Sequence, residues 1–131
     1  MDERAVAEAF SGHRFAETYD RLHPDVRWVL PGQTVLEGRA AVVEACAASA
    51  TEMAALAGSG FTRFVSVAAD GVAAVDAIGR YEEADGTVSV VSSADVYEFD
   101  AEGMLTTITS YAVELDAATE AGTAAETASE A

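Results

Sequence analysis

Four β-rich runs fill the second half of the chain, at 61–69, 72–83, 87–99 and 104–115. What separates them constrains the fold most. The separators are Asp70-Gly71, Asp85-Gly86 and Asp100-Ala101-Glu102-Gly103. Asp-Gly between β-rich runs is the strongest short-range hairpin signal, because Gly supplies positive φ at no steric cost. Three such connections in succession predict an antiparallel meander.

The first half reads differently. Over 3–10, Val6 and Phe10 lie one turn apart with Ala5 and Ala9 beside them, a short apolar helix face. Ser11-Gly12 interrupts it. From His13 to Leu22, Phe15, Tyr19 and Leu22 follow helical spacing, so a second short helix is expected, ended by His23-Pro24. Val26–Leu30 is a strand candidate, Pro31-Gly32 a turn, and 34–36 a short extended piece. A long helix is expected over 39–57, with Val42, Cys46, Ser49, Met53 and Leu56 as one buried stripe and Gly58-Ser59-Gly60 as its stop. Helices, short strands, a helix and then four long strands make an α+β chain.

Composition narrows the function. The 131 residues suit one domain, half of them are apolar, and the formal charge is −16 with seven Arg and no Lys. Phosphate-rich partners need clustered cations, so neither nucleic acid nor an anionic membrane surface is an expected partner. No apolar run approaches the roughly 20 residues that span a bilayer. The acidic, amphipathic N-terminus does not read as a signal peptide. A single cysteine, Cys46, rules out an internal disulfide and suits a reducing, cytoplasmic setting. From Asp116 onward the text is acidic, low in complexity and without large apolar residues, and it reads as a mobile tail or a weak helix.

Particular words in the sequence go further. They are His23-Pro24-Asp25-Val26-Arg27-Trp28, Pro31-Gly32, Leu36-Glu37-Gly38-Arg39-Ala40-Ala41-Val42, and the run from Asp95 through Tyr97 and Gly103 to Leu105. In this order they resemble the nuclear transport factor 2-like superfamily, which includes ketosteroid isomerase, the SnoaL-like polyketide cyclases and limonene epoxide hydrolase. The resemblance covers about 3–115. It implies a cone-shaped, cystatin-like fold, with a curved antiparallel sheet around the long helix and two short N-terminal helices at the wide end. It also implies an internal cavity and an outer sheet face that pairs with a second copy. That homodimer accounts for strands that are apolar on both faces, since a solvated face normally reads as polar.

Asp95 is the first candidate for chemistry. Its strand neighbours are apolar or small, and a carboxylate is rarely buried among such neighbours without reason. By resemblance it lines the cavity, as an acid/base group, a neutral hydrogen-bond donor or a structural hydrogen-bonder. The superfamily's other catalytic positions differ here. Leu30 stands where the isomerase has its base, Val6 near the place of its oxyanion tyrosine, and Ser110 nearest the water-activating aspartate of the epoxide hydrolase. If Asp85-Gly86 is a two-residue turn, Asp76 lies opposite Asp95 and the two form an acid/base pair. One residue more in the turn sends Asp76 to the other face, into an exposed stripe with Arg80 and Glu82.

Among the aromatic residues, Tyr97 shares a face with Asp95 and Tyr19 lies on its helix's apolar stripe, so these two rank before Tyr81 and Tyr111. Trp28, Leu30 and Ser93, with Ile108, Ser110 and Ala112 on the last strand by resemblance, complete the expected cavity wall. His13 reads as a surface residue, neither His13 nor His23 reads as a metal ligand, and Cys46 reads as inert packing. Two functions compete. One is a SnoaL-like, cofactor-independent cyclase or isomerase of a small hydrophobic carbonyl compound, polyketide-like in character. The other is a non-catalytic module of the same fold that binds a hydrophobic small molecule or acts through its sheet face.

Overall fold

The computed structural model describes residues 1–116. The expected acidic tail therefore falls almost wholly outside the described residues. The chain runs α1 (Glu3–Ser11), a 3-10 segment (Phe15–Arg21), β1 (Leu22–Leu30), β2 (Thr34–Glu37), α2 (Arg39–Ala54), β3 (Gly58–Ala69), β4 (Val72–Glu82), β5 (Val88–Phe99) and β6 (Leu105–Leu115). One open six-stranded sheet has the order β2-β1-β6-β5-β4-β3.

The meander is present, and the sheet as a whole is mixed. β3, β4, β5 and β6 pair antiparallel in succession, whereas β1 pairs β6 in parallel. The turns explain the registers. Asp70 and Gly71 take φ of 54° and 79°, so both central residues are left-handed and Ala69 faces Val72 across a two-residue turn. At Asp85-Gly86 only Gly86 is left-handed, at φ 89°. Here Gly86 N–H bonds Glu83 O at 3.0 Å and Glu83 N–H bonds Thr87 O at 2.8 Å. The loop is therefore three residues, 84–86, a turn closed by a glycine bulge, and Asp85 Oδ1 accepts from Thr87 N–H at 2.9 Å within it. The extra residue moves β5 by one position relative to a two-residue turn.

The helices differ from expectation at their ends. Asp2 caps α1 by accepting from Ala5 N–H at 2.8 Å. The second helix is a 3-10 segment that stops at Arg21, because Leu22 is already extended and opens β1. α2 ends at Ala54, and Gly58-Ser59-Gly60 begins the edge strand β3 rather than capping the helix.

α1 lies against the inner face of the meander. Ala7 and Ala9 on the helix, with Ala73 and Ala77 on β4, are all buried, and their small size lets helix and sheet approach closely. Val6, Phe10, Leu22, Val26, Val42, Val75, Leu105 and Ile108 fill the core between them. Only the first half of the α2 stripe joins it. Val42 and Cys46 are buried, while Ser49, Met53 and Leu56 are half-exposed.

Candidate functional site

Asp95 points inward from β5 to the end of α1. Ser11, the last residue of α1, donates its hydroxyl hydrogen to Asp95 Oδ2 at 2.7 Å. Its oxygen lies 2.5 Å from the Tyr97 hydroxyl. Ser11 has one hydrogen and spends it on Asp95, so Tyr97 donates to Ser11. The order Tyr97 to Ser11 to Asp95 makes the carboxylate the acceptor at the end of a short chain. Tyr97 is 0% exposed. Burial first, and the Asp95 charge second, push its phenol well above 10 and keep the donor protonated.

A cavity of 470 Å³ opens beside this cluster, between the C-terminal half of α2 and the ends of β4 and β5. Ser49, Glu52, Met53 and Leu56 form the helix side, Glu83 lies beyond the end of β4, and His13 and Tyr81 are the two wall residues on which the Asp95 charge acts. The volume is that of a small-molecule site. His13 also borders a second cavity of 200 Å³ with Phe15 and Tyr19, so it stands between the two.

Both wall residues are held by unusual local geometry. Tyr81 does not stand away from its strand. A Cβ on Gly79 would meet the Tyr81 hydroxyl oxygen and lie 2.7 Å from Cζ, so the ring lies back along β4 over the glycine and would have to move for any side chain there. His13 stands just past α1 with φ 65°. Arg14 N–H bonds Ala9 O at 2.8 Å and His13 N–H bonds Phe10 O at 3.1 Å, the paired bonds of a Schellman ending. The imidazole stacks on Phe61 at 5.7 Å and meets Tyr81 edge-on at 5.9 Å and Phe15 at 5.8 Å. Burial lowers its pKa below 6.5, partly opposed by the negative charge of Asp95. Burial and the same charge raise the Tyr81 phenol above 10. At neutral pH the wall therefore presents a neutral imidazole and a neutral phenol.

The other expected site residues divide. Ser93 and Ser110 share the inward face with Asp95: Ser110 lies opposite Asp95, Ser93 opposite Ala112, and Trp28 Nε1–H donates to Ser110 Oγ at 2.9 Å. Trp28 packs edge-on against Phe10 at 5.0 Å. Leu30 and Tyr19 are half-buried and Ala112 is exposed. Tyr97 and Ile108 are core residues without exposed surface, not open cavity wall. The Asp76–Asp95 pair does not form. The three-residue loop sets Asp76 opposite Ala94 and Asp95 opposite Val75. Asp76 lies on the outer face, 3.0 Å from Arg63 Nη2. His13, expected on the surface, and Ser11, not singled out at all, belong to the Asp95 cluster. Cys46 is buried, and its thiol is pushed up to about 12. Among the described residues, no three His, Cys, Asp or Glu side chains are placed to hold a metal ion.

This arrangement of helices and mixed sheet is the nuclear transport factor 2-like fold, as the sequence words implied. Solved structures described as NTF2-like and SnoaL-like share this fold. A protein of unknown function from Cytophaga hutchinsonii, described only as NTF2-like, aligns with TM-score 0.71 and 26% identity over 83% of this chain and 94% of its own. A protein assigned as an isomerase of the SnoaL-like family from Agrobacterium tumefaciens aligns with TM-score 0.62 and 15% identity over 86% and 99%. SalBIII, an epoxide hydrolase/cyclase-like enzyme with a role in pyran ring formation in the polyether salinomycin, aligns with TM-score 0.63 and 17% identity over 85% and 90%. No protein-family model and no curated protein matches the chain.

Proposed function

We propose that the protein is a SnoaL-like, cofactor-independent isomerase or cyclase of a hydrophobic carbonyl compound, with Asp95 as its acid/base group. One observation carries this reading. Asp95 is fixed by Ser11 at the end of a part-buried hydrogen-bond chain, and its charge acts on His13 and Tyr81, two residues that line a 470 Å³ cavity. Perturbed titratable groups around a cavity are the usual mark of proton-transfer chemistry. Met53 and Leu56 on the helix side of the cavity, beside the Glu52 carboxylate, suit a largely apolar ligand that carries no negative charge. A buried free thiol at Cys46 suits a cytoplasmic setting, and no helix among the described residues is long and apolar enough to cross a membrane.

The test is a thermal-shift screen of neutral apolar ketones and polyketide-like lactones against the wild type and Asp95→Asn. The expected result is a ligand that raises the wild-type melting temperature and has a smaller effect on the variant. Equal stabilisation of both proteins contradicts a role for Asp95 in the site.

A second reading has its own support on the opposite side of the sheet. Val65, Val67, Val72, Tyr111 and Val113 are all more than 40% exposed, with Val67 at 64%. These side chains flank the Asp76–Arg63 ion pair on the outer face, and exposed apolar residues in such number on one sheet face mark an interaction surface. We read it as the contact of a homodimer, which serves an enzyme and a non-catalytic binding or interaction module equally well.

A further inference from the structure

We propose that His13 is the group that meets the ligand: a neutral imidazole that takes a proton from carbon, with the Tyr81 hydroxyl beside it donating to the oxygen that gains charge. This rests on a proton-transfer role for the Asp95 cluster and adds the residue through which that role reaches the cavity.

The backbone is the first observation. A helix that ends in a Schellman motif places glycine at the left-handed position almost by default. Here the left-handed residue is His13, with φ 65°, although a glycine stands immediately before it. Gly12 has an ordinary φ of −83° and is needed for a different reason: a Cβ there would lie 2.9 Å from Glu8 O. The chain thus carries a glycine where space demands one, and a histidine where glycine would be unstrained. Side chains held in sparsely populated backbone regions concentrate at functional sites.

The surroundings are the second observation. Phe61 covers one face of the imidazole, and Tyr81 and Phe15 approach it edge-on. Both His13 and Tyr81 border the 470 Å³ cavity, and Tyr81 lies in place only because residue 79 has no side chain. Asp95 is not among the residues lining that cavity, but its charge acts on both His13 and Tyr81, which are. Lowered basicity keeps the imidazole free to accept a proton near neutral pH. The Asp95 charge favours the imidazolium that forms.

A probe that needs no knowledge of the natural ligand is 5-nitrobenzisoxazole, a neutral planar compound. A base removes its ring C–H proton, the freed electron pair makes a nitrile, and the N–O bond breaks to release a coloured phenolate. Proton and charge balance without any other reactant. The wild type is expected to accelerate this ring opening, and His13→Asn to lose at least about tenfold of the acceleration. Asparagine tolerates left-handed backbone, and His13→Gly, which prefers it, serves as a second folded variant; melting curves check both.

The charged and titratable groups around His13 are Asp95 on β5, Tyr81 on β4, Glu52 on α2, Glu83 beyond β4, and Arg14, Glu17 and Tyr19 on the 3-10 side. Of these, Asp95 raises its pKa. Asp95→Asn is therefore expected to lower the rate and to move the acid limb of the pH–rate profile to lower pH.

Full activity in folded His13→Asn together with loss in Asp95→Asn would mean that Asp95 meets the ligand itself; the inference then falls and the acid/base reading of Asp95 stands. Loss in His13→Asn with an unchanged rate and limb in Asp95→Asn supports His13 as the base and contradicts the role given to Asp95. A wild type no faster than buffer overturns His13 as an accessible base.

Discussion

His13 resists protonation because burial disfavours its charged form. The sign of the resulting pH dependence follows. The unfolded chain binds the proton at the ordinary value of 6.5, the folded chain at a lower value. The contribution to stability is whole above that value and is lost as the pH falls through it toward the folded pKa. Denaturant midpoints measured on either side of pH 6.5 should show this loss, and His13→Asn should remove that part of the slope. Ser11 makes a second residue-scale prediction. Ser11→Ala removes the Ser11 partner of the fully buried Tyr97 hydroxyl, at a cost of roughly 1–3 kcal/mol in chemical unfolding. In the Ser11→Ala/Tyr97→Phe double variant the cost should be smaller than the sum of the two single changes, since the hydroxyl that lost this partner is gone. Asp95 was legible as a candidate because a carboxylate among small and apolar neighbours stands out. His13 was not, because its setting depends on which of two adjacent residues carries the left-handed φ. Gly12-His13 spells that motif with the glycine one place early. Gly79, a glycine inside a strand, was the available signal for the close approach of Tyr81.

Among the elements, the β4–β5 hairpin decides which carboxylates meet. Its three-residue loop puts Asp95 inside with Val75 and Asp76 outside with Arg63. Deleting Ala84 forces a two-residue turn and turns one strand's side chains to the wrong face. The expected cost exceeds about 4 kcal/mol, beyond the ordinary range of single changes, and shows as loss of cooperative thermal unfolding. The sequence marks a turn at Asp85-Gly86, but not its length, because Asp-Gly serves two-residue turns and glycine-bulge turns alike. The contrast with Asp70-Gly71, a true two-residue turn with both residues left-handed, makes the point within one chain. α2 teaches a related lesson. Val42, Cys46, Ser49, Met53 and Leu56 form one stripe at helical spacing, yet the first two pack in the core and the last three border the cavity. Periodicity finds the face of a helix, and a cavity wall and a core present the same apolar face.

At the scale of the whole molecule, element order and the hairpin signals were enough to reach an α+β fold, and the sequence words from His23 to Val42 and from Asp95 to Leu105 identified which one. The parallel pairing of β1 with β6 was not visible, since those strands are far apart in sequence and no turn joins them. The exposed valines of the outer face predict a homodimer. Val67→Glu with Val113→Glu should lower the mass in sedimentation to that of a single chain, with circular dichroism unchanged. A wild type that sediments as a single chain contradicts the dimer. The central claim, that the Asp95 cluster moves protons for a ligand in the cavity, is tested most directly by deuterium uptake. Exchange of the C–H hydrogens beside the carbonyl of 2-tetralone, a neutral apolar ketone, is followed by NMR in D₂O. The account predicts that the wild type accelerates this exchange and that Asp95→Asn loses about tenfold or more of the acceleration. Equal exchange by the two proteins, or a wild type no faster than buffer, contradicts it.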